Sequence, residues 1–339
     1  MYKLVACLFA AAIATTAPAA TETITEHPYV TTAAEDERVR SYWTPERVAA
    51  IPGNPVLHAE PPPIPADEQP YGAEFASQNT IVPTVGRILS TGRLSNGTAL
   101  DGSCTGTLLS TRSPDGAAVV VTAGHCIFGA PTGHGGAWMS NVLFVPAFRD
   151  GAGVANFTVH SAYASSLWVA DPGFDTEIYD RAFLLLNPGP ASSSSHAESV
   201  GQSIRFRDAA PEKPYKPRWL FGYPRDNTDG ARDALRYGTP AFTGRRLAAC
   251  SGTPTFWGPD PSMLQVACYM GGGASGGPIM EDYDPSTGNG AIVAVNTFGG
   301  FGSDAFKNRN MTTLVGTPVT DSFSKEMFEL AQSKIPVLE

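Results

Sequence analysis

From about residue 81 onward, the chain consists of short apolar runs separated by glycine, proline, serine and asparagine. Runs of this length and composition predict β-strands, and many short strands with frequent turn signals are typical of an all-β sandwich or barrel. The predicted strands lie at residues 84–89, 104–109, 118–122, 142–148, 182–186, 203–206, 219–223, 263–268 and 291–298.

A break rich in proline, glycine and serine divides this β region into two halves of similar size. It runs from Asn187 to Ala191 and continues through four serines to Ser195. Two packed barrels joined by a linker would produce this pattern. We therefore predict one domain at residues 81–339, with an N-terminal barrel at 81–190 and a C-terminal barrel plus helix at 191–339.

The end of the chain has the periodicity of an amphipathic helix. Ser322 is in position to cap it, and the following apolar residues fall on one stripe. We expect this stripe to pack against a barrel; a membrane or partner surface is the alternative. The stripe consists of Phe323, Met327, Leu330, Ala331 and Ile335.

The first nineteen residues have the features of a signal peptide. Lys3 gives a positive start, residues 4–13 are apolar, and Ala17-Pro18-Ala19 offers the small residues that a signal peptidase needs. The apolar run is shorter than the roughly 20 residues that span a bilayer. We therefore predict a secreted protein with no membrane association; an N-terminal anchor is the alternative.

Residues 20–80 differ in composition from the rest and do not resemble a folded domain. They contain ten acidic residues and three arginines, and residues 61–65 read Pro-Pro-Pro-Ile-Pro, which favours extended structure. One short helix is predicted at 44–48, capped by Thr44 with Pro45 in its first turn. In a secreted enzyme we expect such a segment to be a removable pro-region; the alternative is a permanent flexible tail.

The charge of the chain argues against one class of partner. The net charge is −9 overall, and after residue 80 it is only −3, so we expect no nucleic-acid partner, since that would require a basic face.

Once Cys7 leaves with the signal peptide, four cysteines remain, which predicts two disulfides with three possible pairings. They lack the Cys-x-x-Cys spacing of zinc or redox sites. The four are Cys104, Cys126, Cys250 and Cys268.

Ser275 lies in the sequence Gly-Gly-Gly-Ala-Ser-Gly-Gly-Pro at residues 271–278. Glycines around a serine let a substrate carbonyl approach, and they allow a turn in which two N–H groups face the developing oxyanion. The predicted donors are the amides of Gly273 and Ser275. The same residues match the Gly-x-Ser-x-Gly elbow of α/β-hydrolases. That fold needs a histidine after the serine, however, and the last histidine of this chain is His196.

A base and a carboxylate for Ser275 are found upstream. His125 ends an apolar strand between a glycine and a cysteine, a rigid setting that suits a general base. Asp180 stands at the start of the apolar strand 182–186, where a carboxylate is stable only if it is hydrogen-bonded, for example to histidine. Asp171 and Asp175 are rivals in a loop that contains glycine and proline.

Three short motifs, in the order His, Asp, Ser, resemble those of the trypsin-like serine peptidases. Residues 122–126 (Thr-Ala-Gly-His-Cys) are similar to the histidine motif of that family, and residues 273–278 (Gly-Ala-Ser-Gly-Gly-Pro) to its serine motif. Residues 180–184 (Asp-Arg-Ala-Phe-Leu) resemble its aspartate strand, and residues 295–299 resemble the segment that pairs with substrate backbone. The likeness covers roughly residues 84–320.

Within that family, the chain most resembles secreted microbial members related to glutamyl endopeptidases. These share a Gly-Tyr-Pro like residues 222–224 and a pro-region phrase like Tyr-Trp-Thr-Pro-Glu-Arg at 42–47. The resemblance implies a chymotrypsin-like fold of two six-stranded antiparallel β-barrels with the active site between them. It also implies the disulfide Cys104–Cys126, which leaves Cys250–Cys268 for the second barrel.

Two departures from the family bear on activation and specificity. Ala274 precedes Ser275 where the animal digestive enzymes have an aspartate that pairs with the freed N-terminus, so activation must differ here. Tyr269 stands where trypsin has its pocket aspartate, and Met270 and Thr297 replace a threonine and a histidine of the glutamyl endopeptidases.

The substrate pocket therefore takes neither the Arg/Lys nor the Glu preference of these relatives. We expect an apolar or small substrate side chain, unless Asp304 in the nearby Gly-rich loop changes this. The Thr297 hydroxyl is also in position to support Asp180. The pocket candidates are Tyr269, Met270, Thr297, Phe298 and Gly299.

Together these features predict a secreted, monomeric serine endopeptidase that acts on proteins or peptides. Ser275 attacks the peptide carbonyl, His125 takes its proton, and Asp180 holds the histidine. This chemistry needs no metal and no cofactor. The alternative is a catalytically inactive binding module on the same scaffold.

Overall fold

The computed structural model describes most of the chain after residue 20. The predicted signal peptide at 1–19, most of the Pro-rich segment after residue 51, the linker from residue 190, and the pocket candidates Tyr269 and Asp304 lie outside the described residues. The described ranges are 21–51, 73–75, 83–94, 96–112, 117–129, 136–189, 201–207, 215–225, 243–257, 263–268, 270–301 and 312–339.

Eighteen strands are the main regular elements of the described structure. They include a strand in every one of the nine runs predicted from the sequence. Their bounds are β1 Ile24–Pro28, β2 Ala73–Glu74, β3 Val85–Arg93, β4 Ala99–Leu109, β5 Val119–Thr122, β6 Phe128–Gly129, β7 Ala137–Trp138, β8 Ser140–Pro146, β9 Phe157–Ser165, β10 Ala182–Leu186, β11 Ser203–Ile204, β12 Arg218–Gly222, β13 Ala248–Gly252, β14 Thr255–Phe256, β15 Leu264–Ala267, β16 Pro278–Asp284, β17 Asn289–Phe301 and β18 Thr312–Pro318.

The first sheet is a closed barrel of six antiparallel strands. Its order is β9-β10-β5-β4-β3-β8, and β8 pairs back with β9 to close it. Along β10, Phe183 and Leu185 belong to one apolar cluster, whereas Ala182, Leu184 and Leu186 belong to another. This alternation is the two-residue period of a strand. Because both faces of β10 are buried, its sequence is uninterrupted and apolar.

The second sheet follows the order β14-β15-β18-β17-β16-β12-β13-β2, and β11 pairs with β17 in parallel. Its described strands form a half-barrel, and no ladder joins β14 to β2 within the described ranges. Its own apolar core includes Leu220, Val266, Ile279 and Val293. The predicted all-β class with two barrel-like halves is confirmed.

Both disulfide pairings that the family resemblance implied are present. Cys104 of β4 is bonded to Cys126 with their Cα atoms 5.9 Å apart, and Cys250 of β13 is bonded to Cys268 at a Cα separation of 5.6 Å. One bond therefore belongs to each half of the molecule.

Four α-helices are described: α1 Ala33–Tyr42, α2 Pro45–Ala50, α3 Ser166–Ala170 and α4 Ser322–Gln332. The predicted terminal helix is α4, and it packs against the first barrel, where the rings of Phe328 and Phe183 lie 6.0 Å apart. None of the described helices is long and apolar enough to cross a bilayer.

Two details of the predicted terminal helix are wrong. The N-cap is Asp321 rather than Ser322, because the Asp321 carboxylate accepts the Ser324 amide at 2.6 Å; a carboxylate also suits the positive end of the helix. Ile335 lies beyond the end of the helix and is 60% exposed, so it does not extend the apolar stripe.

The expectation that residues 20–80 lack folded structure is wrong for residues 21–51. Strand β1 pairs with β9 on the outside of the first barrel, and the predicted helix at 44–48 is α2, with Thr44 as its cap and Pro45 as its first residue. The Trp43 side chain is buried and donates to the Asn141 carbonyl at 2.6 Å. This segment is packed against the barrel through both backbone and side chains.

Candidate active site

His125 lies at the point where β5 leaves the first barrel. A short 3₁₀ turn, Gly124–Cys126, follows the strand, and the disulfide to Cys104 ties the turn to β4. Only glycine fits at position 124, because a Cβ there would lie 2.8 Å from Trp168 and 3.1 Å from an Asp180 oxygen. The strand end, the disulfide and the glycine together hold the histidine turn close to Asp180.

Asp180 makes two hydrogen bonds to His125. One oxygen accepts the His125 backbone amide at 2.7 Å, and the other lies 2.7 Å from Nδ1 of the imidazole ring. The Thr297 hydroxyl donates to the second oxygen as well. The Asp180 side chain is only 3% exposed, so these donors stabilise a carboxylate that would otherwise be costly to bury.

This pairing sets the chemistry of the imidazole. Partial burial would lower the pKa of His125, but the negative charge of Asp180 and the hydrogen bond to it outweigh burial and raise the pKa above its ordinary value. Because the carboxylate accepts at Nδ1, the neutral ring carries its proton there and leaves Nε2 as a proton acceptor. A ring in this state is suited to general-base catalysis.

Ser275 comes from the second half of the molecule and is half-buried. Its carbonyl oxygen accepts the Thr105 amide at 2.7 Å and lies 3.7 Å from Sγ of Cys126, the residue after His125. The structure thus brings Ser275 next to the histidine turn. Among the described residues, the Ser275 hydroxyl forms no hydrogen bond, whereas His125 and Asp180 are in direct contact.

The backbone around Ser275 has the shape that the glycine pattern predicted. Gly273 and Gly276 have φ angles of +99° and +78°, a region that favours glycine. The amides of Ala274, Gly276 and Gly277 donate to backbone carbonyls. Within the described part of the chain, the amides of Gly273 and Ser275 donate to no backbone carbonyl. Two neighbouring N–H groups are therefore available for a ligand oxygen.

Two of the pocket candidates lie beside the histidine. Thr297 and Phe298 line a cavity of about 270 Å³ together with His125, Trp168 and Glu177. The Thr297 hydroxyl is turned toward Asp180.

The other pocket candidates lie elsewhere in the second half. Gly299 lies in the β17–β18 ladder opposite Leu314. Met270 is fully buried in the core of the second sheet. Tyr269 lies outside the described residues.

Two residues of the site were not identified from the sequence. Trp168 of α3 packs against Gly124 of the histidine turn. Its Nε1 hydrogen is donated to the Phe128 carbonyl at 2.9 Å. Glu177 accepts a hydrogen bond from Trp257 at 3.0 Å. Burial raises the pKa of Glu177, although the bond from Trp257 opposes the shift. No sequence motif marks these positions, because they reach the site only through tertiary packing.

One group of potential metal ligands overlaps the site. Cys104, His125 and Cys126 place ligand atoms within 4.8 Å of one another. The two sulfurs are joined to each other, so neither is available as a thiolate, and one imidazole nitrogen remains. These three residues therefore do not form a metal centre.

No protein-family model matches the chain, and no curated protein matches it. Solved structures do. A thermostable serine protease from an extremophilic microorganism has a TM-score of 0.56 and 22% identity, over 75% of this chain and 99% of that chain. The fold is that of the chymotrypsin-like serine proteases.

Other structures with the chymotrypsin-like fold lead to the same conclusion. The protease Anisep from Arthrobacter nicotinovorans has a TM-score of 0.56 and 25% identity, over 78% of this chain and 100% of that chain. A mutant of human heparin binding protein has a TM-score of 0.50 and 14% identity, over 79% of this chain and 99% of that chain. These matches span nearly the whole length of each neighbour, so both halves of the fold are represented.

Proposed function

We propose that this protein is a secreted serine endopeptidase with His125, Asp180 and Ser275 as its catalytic triad. The observation that carries the proposal is the His125–Asp180 pair, buried at the carboxylate and joined by two hydrogen bonds of 2.7 Å. It lies beside a glycine-rich serine turn, and serine proteases are among the structures that share the fold.

In the proposed mechanism, His125 Nε2 removes the proton of the Ser275 hydroxyl as the oxygen attacks a peptide carbonyl. Asp180 keeps the Nδ1 proton in place and stabilises the imidazolium that forms. The C–N bond then breaks, the imidazolium donates its proton to the leaving amine, and an acyl-enzyme remains. Water hydrolyses the acyl-enzyme by the same steps.

The amides of Gly273 and Ser275 would stabilise the oxyanion of each tetrahedral intermediate. Their neighbours Ala274, Gly276 and Gly277 use their own N–H groups inside the protein, so the turn is held rigidly while these two remain available. Donors that are already in position need not reorient as the negative charge develops. Removing one of them typically lowers kcat by about 10²- to 10³-fold.

The same features favour an enzyme over an inactive binding module on this scaffold. A module that only binds has no need for a raised histidine pKa, for a buried carboxylate or for two available amides in the serine turn. All three are present here. Protein or peptide substrates follow from the proposed reaction.

Active-site labelling tests the proposal. A fluorophosphonate should modify Ser275 and no other serine, as read by peptide mapping. His125→Gln should abolish labelling although Ser275 is still present, because the hydroxyl then lacks its base. Ser286→Ala, at an exposed turn, is the matched control and should label normally. Labelling that persists in Ser275→Ala would contradict the proposal.

A further inference from the structure

A second cavity lies apart from His125 and Ser275. It has a volume of about 400 Å³ and opens where the residues preceding β10, the second sheet and the start of α4 meet. One wall is aliphatic and consists of Leu264, Val266, Ile279 and Val293. Pockets for small organic ligands typically have volumes of about 300–1,000 Å³ and mostly apolar linings, so this cavity is large enough for one.

Three arginines form the polar part of the lining: Arg181, Arg207 and Arg218. The Nε atom of each is buried and has no hydrogen-bond partner within the described residues. Buried donors in folded proteins are normally satisfied, and an unpaired one typically indicates a missing water, ion or ligand. These Nε atoms are themselves enclosed, so a ligand in the cavity would contact the exposed part of the Arg207 guanidinium.

The charges behind this wall favour an anion. The single carboxylate of Glu281 is bound by Arg205, Arg207 and Arg218 at 2.6, 3.1 and 2.6 Å. Asp282 adds a second negative charge, but it pairs with Arg205 and Lys216, away from the cavity. Arg207 and Arg218 therefore share one buried carboxylate, and the wall carries an excess of positive charge.

Burial lowers the pKa of the Arg218 guanidinium; the negative charges of Glu281 and Asp282 oppose this shift, and the neighbouring Arg207 and Arg205 add to it. The third arginine, Arg181, is balanced by Glu22 and Asp321, each at 3.3 Å. The unbalanced charge therefore lies on the side of Arg207 and Arg218, next to the aliphatic wall.

We propose that this cavity binds a small amphiphilic anion, with its carboxylate on Arg207 and its hydrocarbon body against the aliphatic wall. A medium-chain fatty acid has this chemistry. Arg207 retains 25% exposure and so can receive a ligand from solvent, whereas Arg218 is only 2% exposed and forms the floor. The proposal does not depend on the peptidase activity.

Isothermal titration calorimetry with decanoate on the full chain tests this site. Arg207→Met should weaken decanoate binding by about tenfold or more, because it removes a charge-assisted contact. Arg205→Met is the matched control, because Arg205 also binds Glu281 but does not line the cavity. The Arg205→Met protein should bind decanoate with the affinity of the wild type. Equal affinity in the two variants would overturn the proposal.

Two further ligands test separately how much the charge and the hydrocarbon body contribute to binding. Acetate should bind at least tenfold more weakly than decanoate, because it lacks the hydrocarbon body, and octanol should also bind more weakly because it lacks the charge. If acetate binds as tightly as decanoate, the site is one for small inorganic-type anions; if octanol does, it is a purely apolar cavity. Either result overturns the amphiphile assignment.

A third variant fills the cavity without touching an arginine, in case Arg207→Met does not fold. Ala294 lines the cavity and is half-buried, so Ala294→Leu should reduce decanoate affinity by tenfold or more while the melting temperature without ligand changes little. Unchanged affinity in Ala294→Leu would place decanoate elsewhere and overturn the proposal.

Discussion

The imidazole of His125 is the residue on which the proposed chemistry depends most. Its pKa is raised by Asp180, and only the neutral ring can accept the serine proton. Activity should therefore fall as the pH drops through this pKa. We expect the acidic limb of kcat/KM to have its midpoint above the ordinary histidine value of about 6.5, measured on a peptide substrate across pH 5–9.

Asp180→Asn provides the counterpart to this pH profile. The amide has no charge to raise the histidine pKa and favours the wrong tautomer, so the midpoint should shift downward and kcat should fall by roughly 10⁴-fold. A midpoint that stays in place in Asp180→Asn would mean that another group controls the acidic limb.

Gly276 illustrates a second constraint at the residue scale. Its φ is +78°, and an added Cβ would lie 2.0 Å from the Thr122 hydroxyl oxygen and 2.3 Å from the Thr105 carbonyl. Gly97 has nearly the same φ, +81°, with nothing within 4 Å of the added Cβ. Gly97→Ala should reduce stability by about 1–2 kcal/mol, the usual strain of this backbone region.

Gly276→Ala should reduce stability by more than Gly97→Ala and abolish peptidase activity, because the serine turn must also move. Urea unfolding and kinetic assays of both variants measure the difference. Equal stabilities with full activity would show that the packing around Gly276 is not needed.

At the scale of elements, the N-terminal segment is where sequence reasoning failed. Its average composition is acidic and Pro-rich, but Val30, Val39 and Trp43 are spaced so that all three are buried. The partner of β1 is β9, more than a hundred residues away. Local patterns carry no information about such a distant partner, whereas α2 was predictable because its cap and first proline are local.

We expect residues 21–51 to remain part of the active molecule. The Glu339 amide donates to the Thr31 carbonyl at 2.9 Å, and the Glu339 carbonyl accepts the Ala33 amide at 3.1 Å. Removal of residues 21–51 would therefore also break the contacts that hold Glu339. N-terminal sequencing and intact mass of the active protein should detect this segment, even if the chain is cut after residue 51. A fully active, stable protein without residues 21–51 would contradict this and support the pro-region originally expected.

Trp43→Ala measures the contribution of this segment to stability. The variant loses a buried ring and its hydrogen bond to Asn141, so the free energy of unfolding should fall by about 3–5 kcal/mol. Ile335→Ala, at an exposed apolar position, is the control and should change it by less than about 0.5 kcal/mol. Chemical unfolding monitored by circular dichroism compares the two.

At the scale of the whole molecule, the site exists only because the two halves pack together. Thr105 of the first barrel donates its amide to the Ser275 carbonyl and its hydroxyl to the Gly273 carbonyl at 2.8 Å, and it accepts the Tyr223 amide at 2.9 Å. This residue joins the serine turn to the barrel that carries His125. Sequence motifs marked the chemical groups, but they gave no indication of this contact.

The disulfide beside the histidine lies within the first barrel, where it ties the histidine turn to β4. Replacing both Cys104 and Cys126 with alanine should lower stability by about 2–4 kcal/mol and reduce kcat, because the histidine turn loses its tie to β4. The matched change at Cys250 and Cys268, in the second half, should lower stability similarly and affect kcat less. Denaturant unfolding and kinetics of the two double variants test this; an equal loss of kcat in both would contradict it.

The sequence predicted the all-β class, nine of the strands and the His–Asp contact, because short apolar runs between turn residues and short motifs are local signals. It did not predict the position of Trp168 and Glu177, or the arginine-lined cavity. Each of these depends on contacts between segments that are far apart in the chain. Packing of that kind is decided by the assembled core and leaves no local pattern.

The most direct test of the account is digestion of a diverse peptide library by the purified protein and by Ser275→Ala, with cleavage sites read by mass spectrometry. We predict internal peptide-bond cleavage by the wild type and a loss of at least about 10⁴-fold in Ser275→Ala, while the Ser286→Ala control cleaves normally. Cleavage by Ser275→Ala at the wild-type rate, or no cleavage by the folded wild type, would contradict the proposed endopeptidase.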